Sequence, residues 1–150
     1  MRFDVYIKPR ERHKCSLPVF GYVYRVKDRL LNMSYIGVRY AEGIDINNDL
    51  GVKYFSSSKP LLKQLHASKK PLQRFYFEIR KIFNYVVNNV LLDNNNSDII
   101  GLYTEQRNSL KNKLLSYEAS LLEKLKAGNN PRLYNLVARY TKQHGEIAYG

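Results

Sequence analysis

Two runs of β-branched and aromatic residues, 19–26 (V-F-G-Y-V-Y-R-V) and 34–40 (S-Y-I-G-V-R-Y), stand either side of one short polar stretch. Such side chains fit a pleated, half-buried surface and lose rotamer freedom in a helix. The connection, residues 27–33, carries Asp28 and Asn32 as turn-forming residues and is too short to cross over a sheet. The two runs therefore predict adjacent antiparallel strands, a hairpin.

Residues 1–18, interrupted by Pro9 and Pro18, are expected to form a basic arm or an edge strand. Residues 41–58 are rich in Gly, Ser, Asn and Asp and read as loop. A short helix should follow, opened by a serine cap with Pro60 in its first turn and running to about Ser68. After Pro71 the segment R-F-Y-F-E-I-R-K-I-F predicts a third strand, with Phe75, Phe77, Ile79 and Lys81 on one face. The polar tract around D-N-N-N-S makes 84–97 a loop. The last element is a long helix over residues 104–126, ended by Gly128. Leu110, Leu114, Tyr117, Leu121, Leu122 and Leu125 recur at three- and four-residue steps and form one apolar stripe. Glu118 falls on that stripe. A carboxylate there needs a cation, a hydrogen-bond donor or a metal, unless it sits at the stripe's edge and pairs with a lysine. Periodicity alone leaves both readings open.

One hundred and fifty residues suit a single domain with its own core. No apolar run is long enough to span a membrane, and the first residues lack the apolar stretch of a signal peptide, which points to the cytoplasm. The single Cys15 cannot form an internal disulfide, and His13, His66 and His144 lack zinc spacing. Any metal should therefore be a hard cation held by carboxylate and water. Twenty-five Lys and Arg against thirteen Asp and Glu give a net charge of +12, which favours a polyanionic partner. With no basic amphipathic helix to suggest a membrane surface, that partner reads as nucleic acid. Basic residues concentrate in 2–14 and in 59–81, where seven cations face Glu78 alone. Thirteen tyrosines and no tryptophan supply aromatic groups with polar tips.

At the hairpin, Tyr22-Val23-Tyr24 followed by Tyr35-Ile36-Gly37 resembles the signature of the GIY-YIG endonuclease family. The second tripeptide is literal, and Tyr22 stands where the first usually has glycine. The eleven-residue interval from Tyr24 to Tyr35 is usual for that hairpin. Leu50-Gly51 with Lys53-Tyr54-Phe55-Ser56-Ser57-Ser58-Lys59 resembles a block that follows in stand-alone, phage-encoded homing-type members. The third strand, and Glu118 seventeen residues before Asn135, are similar to the same group. The likeness runs over residues 20–135, with a basic N-terminal arm at 1–18 and an insertion at 84–103.

The resemblance implies an α+β fold with a central three-stranded antiparallel sheet flanked by helices. It implies an endonuclease that hydrolyses DNA phosphodiester bonds, on double-stranded DNA, with one Mg2+ that Mn2+ can replace. On this pattern Glu118 holds the metal, Tyr24 is the base beside the attacking water with Tyr35 as its partner, Gly37 is a backbone motif residue, and Asn135 supports the active face. Many members carry an arginine about eight residues after the motif glycine; here that position is Asp45. Arg39 is the first substitute, with Lys53 and Lys59 second. Lys63, Lys69, Lys70 and Arg74 are candidate DNA contacts beside Lys53 and Lys59, as are Lys81, Arg80, and Arg10, Arg12 and Lys14 on the arm. Cutting both strands would need a homodimer or two sequential nicks. A phage-encoded chain would act in the bacterial host's cytoplasm. The competing expectations are a nucleic-acid-binding protein that kept the fold without the activity, and a regulator that binds another nuclease.

Overall fold

The computed structural model describes residues 1–86, 96–127 and 132–136. The strands are β1 (Val5–Ile7), β2 (Val19–Asp28), β3 (Met33–Tyr40), β4 (Phe75–Asn84) and β5 (Arg132–Leu133). Helices α1 (Lys59–Ala67) and α2 (Pro71–Arg74) join β3 to β4, and the long α3 (Asn96–Ala127) follows. The hairpin forms in the register Tyr22↔Arg39, Tyr24↔Gly37, Val26↔Tyr35. Its turn places Asn32 in the left-handed region at φ 51°, where a short polar side chain costs little.

The class is α+β, but the sheet is not the three-stranded antiparallel one expected. It has five strands in the order β1-β4-β2-β3-β5. The inner three are antiparallel; β1 adds to β4 and β5 adds to β3 in parallel, so the sheet is mixed. Strands of three and two residues hold too little alternation to register as a period, and only their partners define them. Residues 1–18 therefore supply an edge strand and a 3-10 helix (Pro9–Ser16), not a free arm. Phe3 is buried, and its N–H donates to the Gly51 carbonyl at 2.9 Å.

A second correction concerns β4. The pairing with β2 slips between Val23 and Tyr24, where Val23 faces Lys81 but Tyr24 faces Ile79. The bulge at Arg80 turns Lys81 to the opposite face from Phe75, Phe77 and Ile79 and brings Ile82 onto theirs. Alternation cannot reveal an inserted residue.

The sheet separates two apolar clusters. One face carries Tyr22, Tyr24, Val26, Phe77, Ile79 and Ile82, covered by Leu61 and Leu65 of α1. The other carries Val23, Ile36 and Phe83, packed by Leu114 and Leu121 of α3. As expected, α1 starts at Ser58, whose hydroxyl accepts from the Leu61 N–H at 3.3 Å, with Pro60 in the first turn. The long helix begins at Asn96, earlier than its apolar stripe. Gly128, expected to stop it, lies outside the described residues, as does most of the polar tract before it. Among the described residues no helix is long and apolar enough to cross a membrane.

Asp28 ends β2 with no exposed surface. Its Oδ1 accepts from the Leu30 and Leu31 N–H groups at 3.0 and 3.3 Å. Arg74 forks onto it at 2.9 and 2.8 Å, and the Tyr134 hydroxyl donates at 2.6 Å. Burial alone would push this carboxyl up; the Arg74 and Tyr134 hydrogen bonds outweigh it and hold the group below its ordinary range. The paired carboxylate therefore stabilises the fold at any pH above the ordinary value of about 4, and that contribution is lost as pH falls through the depressed value. Asp28→Ala leaves the Arg74 charge without its carboxylate and is expected to cost about 3–5 kcal/mol in urea unfolding at neutral pH. In Asp28→Asn, the share of acid destabilisation that belongs to this group should be missing from the pH profile.

Candidate active site

The hairpin register determines what meets on the α1 side of the sheet. Residues two apart share a face. Tyr22 and Tyr24 of β2 therefore stand beside Tyr35, Gly37 and Arg39 of β3. Gly37 is directly opposite Tyr24, and a methyl group there would lie 2.6 Å from the Tyr24 phenol oxygen and 2.7 Å from Tyr35 Cε1. The missing side chain is what lets the two rings converge, with centroids 6.0 Å apart. Gly37→Ala should force one of them aside at a cost of about 1–3 kcal/mol. A lowered urea midpoint, with a changed near-ultraviolet tyrosine dichroism, is the expected reading.

The loop after β3 closes over these phenols. The Tyr24 hydroxyl shares a 2.9 Å hydrogen bond with the Tyr54 hydroxyl and accepts from the Ser57 N–H at 3.3 Å. Tyr35 shares a 2.9 Å bond with the Ser57 hydroxyl. Tyr54 is turned edge-on to Tyr24, centroids 5.6 Å apart. Burial, and then the neighbouring Tyr54, drive the Tyr24 phenol far above its ordinary value. Burial also raises Tyr35.

Arg39 lies in the same network. Its fork grips the buried Asp49 at 3.2 and 3.3 Å, and its guanidinium lies 4.2 Å from the centre of the Tyr54 ring. Tyr22 donates to the same carboxylate at 2.6 Å. Tyr22 thus has a packing role. It fills the core and braces the aspartate that orients Arg39.

Glu118 is half-buried on α3, and burial raises its carboxyl above the ordinary range. It lies close enough to Tyr35 for its charge to help raise that phenol. No cation among the described residues pairs with it. No cluster of three metal-ligating side chains occurs among the described residues either. Asn135 is half-buried and takes a different position from the phenols. Its amide oxygen accepts from the Ile36 N–H at 3.0 Å and its amide nitrogen donates to the Ile36 carbonyl at 2.7 Å. It pairs with β3 as a strand residue would and holds the backbone between Tyr35 and Gly37.

The remaining cations divide. Lys53, Lys59, Lys63, Lys69 and Lys70 are exposed along the serine loop, α1 and the approach to α2. Arg74 is committed to Asp28 and to the Gln64 side-chain amide oxygen at 3.0 Å, so its fork serves the fold. Of the residues in the network, Tyr54 and Ser57 lie within a motif block yet carried no assigned role, and nothing local marks Asp49. Their partners are 30, 33 and 27 positions away in the chain, beyond what spacing along an element can show. No family model matches the chain, and neither a curated protein nor a solved structure matches it.

Proposed function

We propose that this chain is a metal-dependent DNA endonuclease of the GIY-YIG type, cleaving at the Tyr24–Tyr35 face. The observation that carries the reading is the convergence of two phenols, admitted by Gly37, near a half-buried carboxylate that has no cation partner among the described residues. Supporting it are the net charge of +12 and the exposed lysines of the serine loop and α1.

Glu118 suits one hard divalent ion, Mg2+ or Mn2+, because a single carboxylate completed by water and substrate oxygens is a normal ligand set for such an ion. When bound, the ion supplies Lewis-acid polarisation of the phosphate and of the leaving oxygen. Tyr24 removes a proton from the attacking water. The Ser57 N–H already points at its oxygen, and Tyr54 can donate to it too, so an anion formed there has donors in place. Tyr35 orients the water, Arg39 offers the remaining positive charge beside the phenols, and Asn135 keeps the strand beneath them in place.

Since Tyr24 sits above its ordinary value, only the rising phenolate fraction limits the base. Single-turnover nicking of supercoiled plasmid should therefore climb about tenfold per pH unit between about pH 7 and 9; a flat profile would remove Tyr24 as base. Glu118→Ala should abolish nicking in Mg2+ and in Mn2+ while leaving plasmid binding within about twofold of wild type. Retained nicking in that variant would take Glu118 out of the centre.

One observation favours a second reading, binding without cleavage: the Arg39 fork is already satisfied by Asp49. That reading requires plasmid binding with no metal-dependent nicking at any pH.

A further inference from the structure

Among the described residues the opposite face of the sheet is only partly covered. Helix α3 packs over Val23, Val38, Ile36 and Phe83. Beyond them the strands continue, and their alternation brings out a different set of residues. Lys27 pairs with Tyr76, Arg25 with Glu78, and Tyr6 of β1 with Glu78 from the other side. The Tyr6 and Tyr76 rings are stacked at 29°, centroids 6.5 Å apart, and Arg29 stands 5.5 Å from the Tyr76 ring centre. Tyr6 is 40 % exposed, and Arg29 is exposed as well. The one carboxylate in the grid, Glu78, is largely buried and paired with Arg80.

We propose that this open half of the sheet binds single-stranded nucleic acid, with bases on Tyr6 and Tyr76 and phosphates on Arg25, Lys27 and Arg29. The occupant follows from two properties together. Cations ringing the surface select a polyanion. The stacked phenol pair, open to solvent at Tyr6 and partly so at Tyr76, offers aromatic surface that only a polyanion with free flat groups can use. A duplex hides its bases in its own stack, whereas a single strand presents them, and every base has a face to stack. An acidic protein segment would satisfy the cations and leave the rings idle. The surface lies across the sheet from the Tyr24–Tyr35 face, so it goes beyond the cleavage reading and does not depend on it.

The test is fluorescence anisotropy with labelled oligothymidylate of about twelve nucleotides, a length within the span of one binding surface, in EDTA so that no strand is cut. The Tyr6→Ala/Tyr76→Ala double variant should bind more weakly by about thirtyfold or more, and Tyr6→Phe/Tyr76→Phe should bind within about twofold of wild type. Lys27→Gln should lower the slope of log affinity against log salt by about 0.7, the share of one phosphate contact on a single strand. On the unaltered chain, photocrosslinking with iodouracil oligonucleotides should label Tyr6 or Tyr76. Unchanged affinity in the alanine variant, crosslinks confined to other surfaces, or displacement by polyglutamate as effective as by unlabelled oligothymidylate would each overturn the proposal. Nicking of plasmid is read separately, and its presence or absence bears only on the cleavage reading.

Discussion

A carboxylate with no exposed surface, that of Asp28, is hydrogen-bonded by three stretches of chain that lie far apart in sequence. The turn after β2, the end of α2 and the segment around Tyr134 all converge on it. Ionised and buried, it would be costly without full pairing. Each donor is therefore held to its place by the penalty for leaving. This closes the hairpin turn, seats the start of β4 beside it, and draws the short strand β5 against β3, which in turn lets Asn135 reach Ile36.

The same device recurs at the candidate site. Asp49, nearly as deeply buried, also receives one arginine fork and one tyrosine hydroxyl, from Arg39 and Tyr22. One pairing is spent on architecture. The other holds an arginine against the phenol cluster, with Tyr54 between Arg39 and Tyr24. Chemically interesting side chains here are positioned by buried polar contacts made by a loop, and the loop's own course is set by Asp49, whose carbonyl accepts from the N–H groups of Val52, Lys53 and Tyr54.

The excess positive charge has more than one address. The exposed lysines belong to the serine loop and to α1, the helix that covers the phenol side of the sheet, while Arg25, Lys27 and Arg29 lie with Tyr6 and Tyr76 on the other. Arg74, by composition one more cation in the basic stretch, is withdrawn from any partner by Asp28. Net charge indicates a class of partner, but burial decides which cations can meet it.

Local pattern was enough for the hairpin, the serine-capped α1, the strand after Pro71 and the inward stripe of the long helix, because each writes its period or its cap into neighbouring residues. That Tyr24, Tyr35 and Gly37 lie on the two strands of the hairpin was legible for the same reason. The two short parallel strands, the bulge that reverses Lys81, the commitment of Arg74 to Asp28 and the roles of Tyr54, Ser57 and Asp49 were not. Each depends on a contact between residues distant in the chain, where cross-strand pairing and the cost of a buried charge choose the partner and adjacent residues carry no trace of the choice. The sequence by itself determined the longer elements and the faces of their regular stretches, because a period needs several neighbouring residues to show; tertiary structure decided the short edge strands, the bulge in β4, which faces close on one another and which cations are drawn into buried pairs.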